Sequence, residues 1–144
     1  MARDLTPLFA EIVAVEAELR AALDARLRRE CGLPLNRFEV LRVVAQRDGC
    51  QVRDIACELS LTTGGTSKLL DRVERAGLCE RQPNPADRRS SIVELTETGR
   101  RAVTHGSGVI KSELELRLGL LDRRSLVHLS ALLGRLAAAG TSAP

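Results

Sequence analysis

Residues 62–99 read TTGGTSKLLDRVERAGLCERQPNPADRRSSIVELTETG, and the two halves of this stretch follow different periods. From Thr63 to Arg75, apolar Leu69, Leu70 and Val73 fall at helical spacing, and Ala76-Gly77 supplies a stop with glycine suited to a left-handed cap. From Leu78 to Gln82 and from Ser91 to Leu95 the pattern alternates, which predicts two short strands. Pro83-Asn84-Pro85-Ala86-Asp87 joins them as a hairpin with a long tip. Helix followed by hairpin is the second half of a winged helix-turn-helix. The first half lies just upstream: a short helix over Val52–Leu59 burying Ile55, Ala56 and Leu59, then a turn at Ser60-Leu61. The DNA-reading unit expected on this pattern is therefore Val52 to Thr96.

Outward from this unit the chain reads as helix on both sides. Leu5, Leu8, Phe9, Ile12, Val15, Leu19, Leu23 and Leu27 make one stripe of a long helix running to about Arg29. Thr6-Pro7 resembles an N-cap followed by proline at the first helical position. Cys31-Gly32-Leu33-Pro34 breaks it. Leu35 to Arg47 is the next helix, with Phe38, Leu41, Val44 and Ala45 inward, and Asp48-Gly49 ends it. Downstream, Thr96 caps a long helix carrying Ala102, Val103, Ile110, Leu114, Leu118 and Leu121. Gly106-Ser107-Gly108 is expected to weaken or bend that helix. A last helix over Arg123–Ala138 presents Leu126, Leu129, Leu133 and Leu136, and Gly140–Pro144 is expected to fray. The fold class is mainly α with a small β-hairpin wing: a winged helix-turn-helix over residues 33–99 of one domain. Helices over 4–31 and 100–139 flank it, and their leucine stripes suit a dimer platform.

Composition narrows the function. The 144 residues contain two phenylalanines, no tryptophan and no tyrosine, so aliphatic side chains must fill the core. The formal net charge is only +3, so any nucleic-acid binding must come from local clustering. Such a cluster exists. Thr62–Leu69 with Arg81–Ser91 holds the cations Lys68, Arg81, Arg88 and Arg89 against one acid, Asp87, which is a local +3 equal to that of the whole chain. The helix opens Thr62-Thr63-Gly64-Gly65-Thr66-Ser67-Lys68, small and polar, so it can lie close to base edges and sugar-phosphate. Each interior glycine costs about 1 kcal/mol relative to alanine, which points to close approach by a partner. Arginine on a narrow tip suits the minor groove, and Asp87 can fix the tip by accepting hydrogen bonds. The blander readings are a plain N-cap cluster and a solvated charged loop.

Other classes find little support. No nucleophile elbow, P-loop or dinucleotide fingerprint is present, so an enzyme is not expected. His105 and His128 lack metal-ligand spacing, so neither a metal nor another cofactor is expected. Cys31, Cys50, Cys57 and Cys79 show no C-x-x-C spacing, and Cys57 reads as a small buried hydrophobe. With no leader-like segment and no long apolar run, a cytoplasmic protein without membrane partners is expected. A winged helix used only for protein contacts is the alternative from another class.

The run from Asp87 to Gly99, with Asp-x-Arg, a strand and then Leu95-Thr96-x-x-Gly99, resembles the wing signature of the MarR (multiple antibiotic resistance regulator) family. Leu69-Leu70-Asp71-Arg72-Val73-Glu74-Arg75-Ala76-Gly77-Leu78 is similar to that family's recognition-helix end, which adds Arg72 to the DNA-binding candidates. The resemblance implies a homodimer joined by its terminal helices, most often a repressor, on a pseudo-palindromic double-stranded operator. It implies Arg89 in the minor groove with Asp87 orienting it, and Thr62–Lys68 facing the major groove. It also implies release by a small, often aromatic anion in a cleft between platform and winged helix, for which Arg20, Phe38 and Arg42 are positional candidates. Some members of the family sense peroxide through a thiol. Here Cys31, following Arg26, Arg28 and Arg29, is the redox candidate, because nearby cations would lower its pKa.

Overall fold

The computed structural model describes residues 4–141. Among these the order is α1 (Thr6–Cys31), α2 (Leu35–Ala45), α3 (Val52–Glu58), α4 (Thr63–Arg75), β1 (Cys79–Pro83), β2 (Ser91–Leu95), α5 (Glu97–Leu118) and α6 (Arg123–Thr141). The strands pair antiparallel, with Cys79 opposite Leu95 and Pro83 opposite Ser91. The chain divides into two compact units, one ending at Ile110 and the other beginning at Lys111.

In the first unit the core gathers around α2. Leu35, Phe38, Val40, Leu41, Val43 and Val44 are all buried, together with Leu27 of α1, Ile55 of α3, Leu69, Leu70 and Val73 of α4, and Val93 and Leu95 of β2. Nearly every face of α2 is covered, so its inward set is wider than a single stripe, while Ala45, expected inward, is exposed. Asp24 of α1 tethers the two helices, its Oδ1 accepting the backbone N–H of Leu35 at 2.8 Å. That bond satisfies one of the amides left open at the start of α2.

Helix α1 starts differently from the expected cap. Leu5 is the cap position, and Asp4 Oδ1 accepts the Thr6 N–H at 3.0 Å, while Pro7 sits inside the first turn. Its end follows the expected break: Gly32 at φ 63° donates back to the Arg28 carbonyl. Only the C-terminal part of the α1 stripe is covered within this unit; Leu5, Leu8, Phe9, Ile12, Val13 and Val15 are 44–67% exposed.

Helix α5 is continuous through Gly106-Ser107-Gly108. Gly106 is there for packing, because a Cβ on it would lie 2.5 Å from Phe38 Cε2. Thr96 does cap this helix, accepting the Gly99 N–H at 3.0 Å while donating to the Gly77 carbonyl at 2.7 Å. That second bond joins the wing's exit to the end of α4. In the second unit, Asp122 Oδ1 accepts the Ser125 N–H at 2.7 Å to start α6. The helix runs to Thr141, past the expected fraying point at Gly140; residues 142–144 lie outside the described residues. Leu120, Leu121, Leu129, Leu132, Leu133 and Leu136 are exposed in this unit. Among the described residues no helix is long and apolar enough to cross a membrane.

Candidate nucleic-acid interface

Helix α4 begins with a built N-cap. Thr62 is extended (φ −71°, ψ 152°), and its hydroxyl oxygen accepts the Gly65 N–H at 3.1 Å. Gly65 has a local reason to be glycine, since a Cβ would approach that same oxygen at 3.0 Å. A Cβ on Gly64 would meet nothing within 4 Å, so there the backbone is open to an approaching partner.

Two residues expected to face DNA are placed elsewhere. Thr66 is fully buried and its hydroxyl donates to the Thr62 carbonyl at 2.8 Å. It belongs to the face that packs on the core with Leu69, Leu70 and Val73, and it offers no surface to a base. Arg81 lies in mid-strand rather than at the hairpin tip. Its guanidinium donates to Glu74 Oε2 at 2.6 Å, Asp71 Oδ1 at 2.7 Å and the Ser67 carbonyl at 3.4 Å. Burial pushes the Arg81 pKa down, but its hydrogen bond to Asp71 and the charge of Glu74 outweigh that and hold it above the usual range. Its charge is neutralised inside the protein, so it contributes nothing to the local excess expected from the sequence.

What α4 does present is a line at spacings of four, four and three: Gly64, Lys68, Arg72 and Arg75, all exposed and opposite the buried face. Arg75 was not among the sequence candidates, although the same periodicity would have found it. No ion pair joins Lys68, Arg72 or Arg75 among the described residues. Thr62 and Thr63 are exposed at the leading end, while Ser67 is half-buried at the edge.

The wing tip is folded, not slack. Asn84, 7% exposed, donates through Nδ2 to Ser90 Oγ at 2.9 Å and accepts the Ala86 N–H on Oδ1 at 3.0 Å. Asp87 Oδ1 accepts the Arg89 N–H at 2.9 Å, the tip-fixing role expected of it, and its carbonyl accepts the Ser90 N–H at 3.1 Å. Sequence reasoning missed Asn84, whose only signal was an Asn between two prolines. Arg88 and Arg89 are exposed, with no ion pair among the described residues. The base of the hairpin is anchored as well, Val93 N–H donating to the Cys50 carbonyl at 2.7 Å.

A groove of about 660 Å³ opens beside α4, entirely within the first unit. Arg20, Arg42, Lys68 and Arg72 line it, against Glu39 and Glu58, with Leu59, Leu61 and Leu69 as its apolar wall. Arg20 is held in a two-bond pair with Glu39, both bonds at 2.9 Å, and that hydrogen bonding raises its pKa. Arg20 and Arg42 are thus brought to one groove, but Phe38 is not. It is 1% exposed and packs in the core, so it offers no face to a ligand.

Cys57, expected to be buried, and Cys31, expected to be activated, are both placed otherwise. Cys57 is exposed, because the outer side of short α3 has nothing over it, whereas Cys50 and Cys79 are buried. Burial pushes both buried thiols up to about 11, aided by Asp54 for Cys50 and Glu74 for Cys79. Cys31 is half-buried and its pKa is raised by burial and then by Glu30. The arginines expected to activate it are engaged elsewhere, Arg26 and Arg29 with Glu30 and Arg28 with Asp24. His105 and His128 are exposed, and no group of His, Cys, Asp or Glu able to hold a metal occurs among the described residues.

The arrangement agrees with comparisons to known proteins. Residues 33–91 match the family model described as MarR family. The chain is 31% identical over 84 residues to the uncharacterized HTH-type transcriptional regulator YwhA of Bacillus subtilis, covering 58% of each chain. It is 30% identical over 117 residues to the uncharacterized protein Mb2034c of Mycobacterium bovis, covering 79% of this chain and 80% of that one. The aligned part spans 46–61% of the length of the three Bacillus subtilis regulators it matches. Among solved structures, AbsC, a MarR family transcriptional regulator from Streptomyces coelicolor, superposes with a TM-score of 0.87 at 22% identity, covering 99% of both chains. A mutant MarR from E. coli complexed with operator DNA gives 0.85 at 23% identity, covering 92% of this chain and 95% of that one. At these identities the structural likeness speaks for the fold.

Proposed function

The chain belongs to the MarR family, and on that premise we propose that it is a sequence-specific DNA-binding transcription regulator, a homodimeric repressor of a pseudo-palindromic operator. The observation that carries this is exposed charge with no ion pair among the described residues on two neighbouring elements: α4 offers the Gly64, Lys68, Arg72, Arg75 line, and the wing offers Arg88 and Arg89 on a tip held by Asn84 and Asp87. Thr62, Thr63 and Gly64 read the major groove, Lys68 and Arg72 hold phosphates, and Arg89 enters the minor groove. No step of this role calls for a catalytic residue, a metal or another cofactor, and a regulator of this kind works in the cytoplasm.

A second copy covers the apolar residues left exposed on α1 and α6. Burying one such leucine is worth about 1.5–3 kcal/mol, so a shared face of several explains why these helices carry leucine on their outer sides. Two copies then set the distance between half-sites at about one helical turn of DNA.

The effector site of this reading is the groove of Arg20 and Arg42. Lys68 and Arg72 belong both to it and to the DNA-facing line, so a small anion bound there competes with phosphate for the same cations. Among the described residues no aromatic side chain lines the groove, so the anion is held by charge and hydrogen bonds rather than by stacking. The test is the salt dependence of operator binding. Arg89→Ala should weaken binding and lower the slope of log K against log salt by about 0.9 for each phosphate that is no longer neutralised. An unchanged affinity and slope would remove the wing from the interface.

A further inference from the structure

Arg81 sits on β1 on the same face as buried Cys79, and it reaches across to α4 rather than out to solvent. Its acceptors, the Ser67 carbonyl, Asp71 and Glu74, are spaced four and three along the helix and so form one line beside the Lys68–Arg72 face. The Arg81 backbone N–H also donates to Glu74 Oε1 at 3.0 Å, so one carboxylate holds both the strand and its side chain. The arrangement needs a planar fork with several donors, which arginine has and lysine lacks. A two-stranded hairpin is marginal alone. Its base is tied by Thr96 to Gly77 and by Val93 to Cys50, and Cys79, Val93 and Leu95 pack in the core with α4, while among the described residues the hydrogen bonds from the strands to α4 all run through Arg81.

We propose that Arg81 is a positioning residue for DNA recognition, which locks the wing to α4 so that both present as one rigid reading surface, and which contacts no phosphate itself. The proposal rests on the DNA-reading assignment above. Two carboxylates against one guanidinium leave the lock with a net negative charge, so removing the carboxylates makes the protein more cationic. If they were bystanders, that change would tighten binding to any DNA. If they hold the lock, it loosens the wing and weakens binding to the preferred sequence.

The experiment uses the full chain and the tightest duplex recovered from a randomised pool, with an unrelated duplex for comparison. Asp71→Ala/Glu74→Ala keeps good helix formers in α4, so this variant carries the test even if Arg81→Met fails to fold. It should bind the preferred duplex at least fivefold more weakly while binding the unrelated duplex as tightly or more tightly. Arg81→Met should weaken the preferred duplex with a salt slope unchanged, whereas Arg89→Ala lowers the slope. In the DNA-free protein, both lock variants should speed amide exchange over residues 79–83 and 91–95 at least tenfold and leave α2 unchanged. Tighter binding of the preferred duplex by the double variant, a slope lowered by about 0.9 in Arg81→Met, or unaltered exchange in the wing would each overturn the proposal. A wild-type protein with no preferred duplex would overturn the DNA-reading assignment, and the proposal with it, whatever the exchange rates.

Discussion

Gly106→Ala should destabilise the protein although alanine is the better helix former. A Cβ at this position would stand 2.5 Å from Phe38 Cε2, 2.6 Å from Phe38 Cδ2 and 3.4 Å from Leu27 Cδ2, where real Cβ contacts essentially never fall below 3.0 Å. The ring or the helix must therefore move by about half an ångström, and neither neighbour has room, Phe38 being 1% and Leu27 0% exposed. Overpacking of this kind costs about 1–3 kcal/mol, and the gain in helix propensity offsets about 1 kcal/mol of it. The net loss should be up to about 2 kcal/mol, and the gap to a sterically free glycine-to-alanine change about 1–3 kcal/mol. Urea unfolding at fixed protein concentration, followed by far-UV circular dichroism because the chain has no tryptophan or tyrosine, reads it directly. Gly108→Ala is the internal control: nothing lies within 4 Å of its Cβ, so only the propensity gain of about 0.5–1 kcal/mol remains. Phe38→Leu, which shortens the ring position, should recover part of the Gly106→Ala loss, a coupling of at least about 0.5 kcal/mol. If Gly106→Ala proves as stable as Gly108→Ala, the steric reasoning is wrong.

Three further outcomes are expected. Gly99→Ala should cost about 3 kcal/mol or abolish soluble expression, because its Cβ would run into the Leu78 carbonyl, which is backbone and cannot rotate away; a near-wild-type urea midpoint would contradict this. Asp24→Asn should cost about 1 kcal/mol at pH 7. The hydrogen bond from Arg28, then that from Leu35, holds the Asp24 carboxyl below its usual range. Its contribution is therefore full above an unfolded pKa of about 3.9 and fades as pH falls below it. The stability gap between wild type and Asp24→Asn should thus stay flat from pH 7 to about 5 and close below about 4; a gap that widens on acidification would exclude the tether. Alkylation with iodoacetamide at pH 8, read by mass spectrometry, should mark Cys57 first, Cys31 more slowly, and Cys50 and Cys79 only on unfolding, since both buried thiols are pushed up to about 11. Early labelling of Cys79 would mean the wing opens in the native state.

The order of elements was legible because the period of apolar residues changes where helix gives way to strand. Helix α4 at Thr63–Arg75 and strand β2 at Ser91–Leu95 fall where the pattern put them. The inward face of α2 was less legible, since a helix covered on nearly all sides has no polar side to mark its orientation. Thr66 and Arg81 were misplaced for a related reason. Their residue types suit DNA, but the acceptors that claim them, the Thr62 carbonyl for one and Asp71 and Glu74 for the other, are chosen by tertiary geometry. Cys57 misled because α3 is too short for its spacing to define a face. The role of Gly106 depends on Phe38, 68 positions earlier in the chain, and no local pattern carries that.

Hydroxyl-radical footprinting on the DNA flanking the protein's own gene tests the central assignment most directly. The expected result is a dyad-symmetric site in which two half-sites lie about one helical turn apart, with minor-groove protection outside each half that disappears in Arg89→Ala. Uniform or absent protection, or a footprint that Arg89→Ala leaves intact, would contradict the account of α4 and the wing as the reading surface.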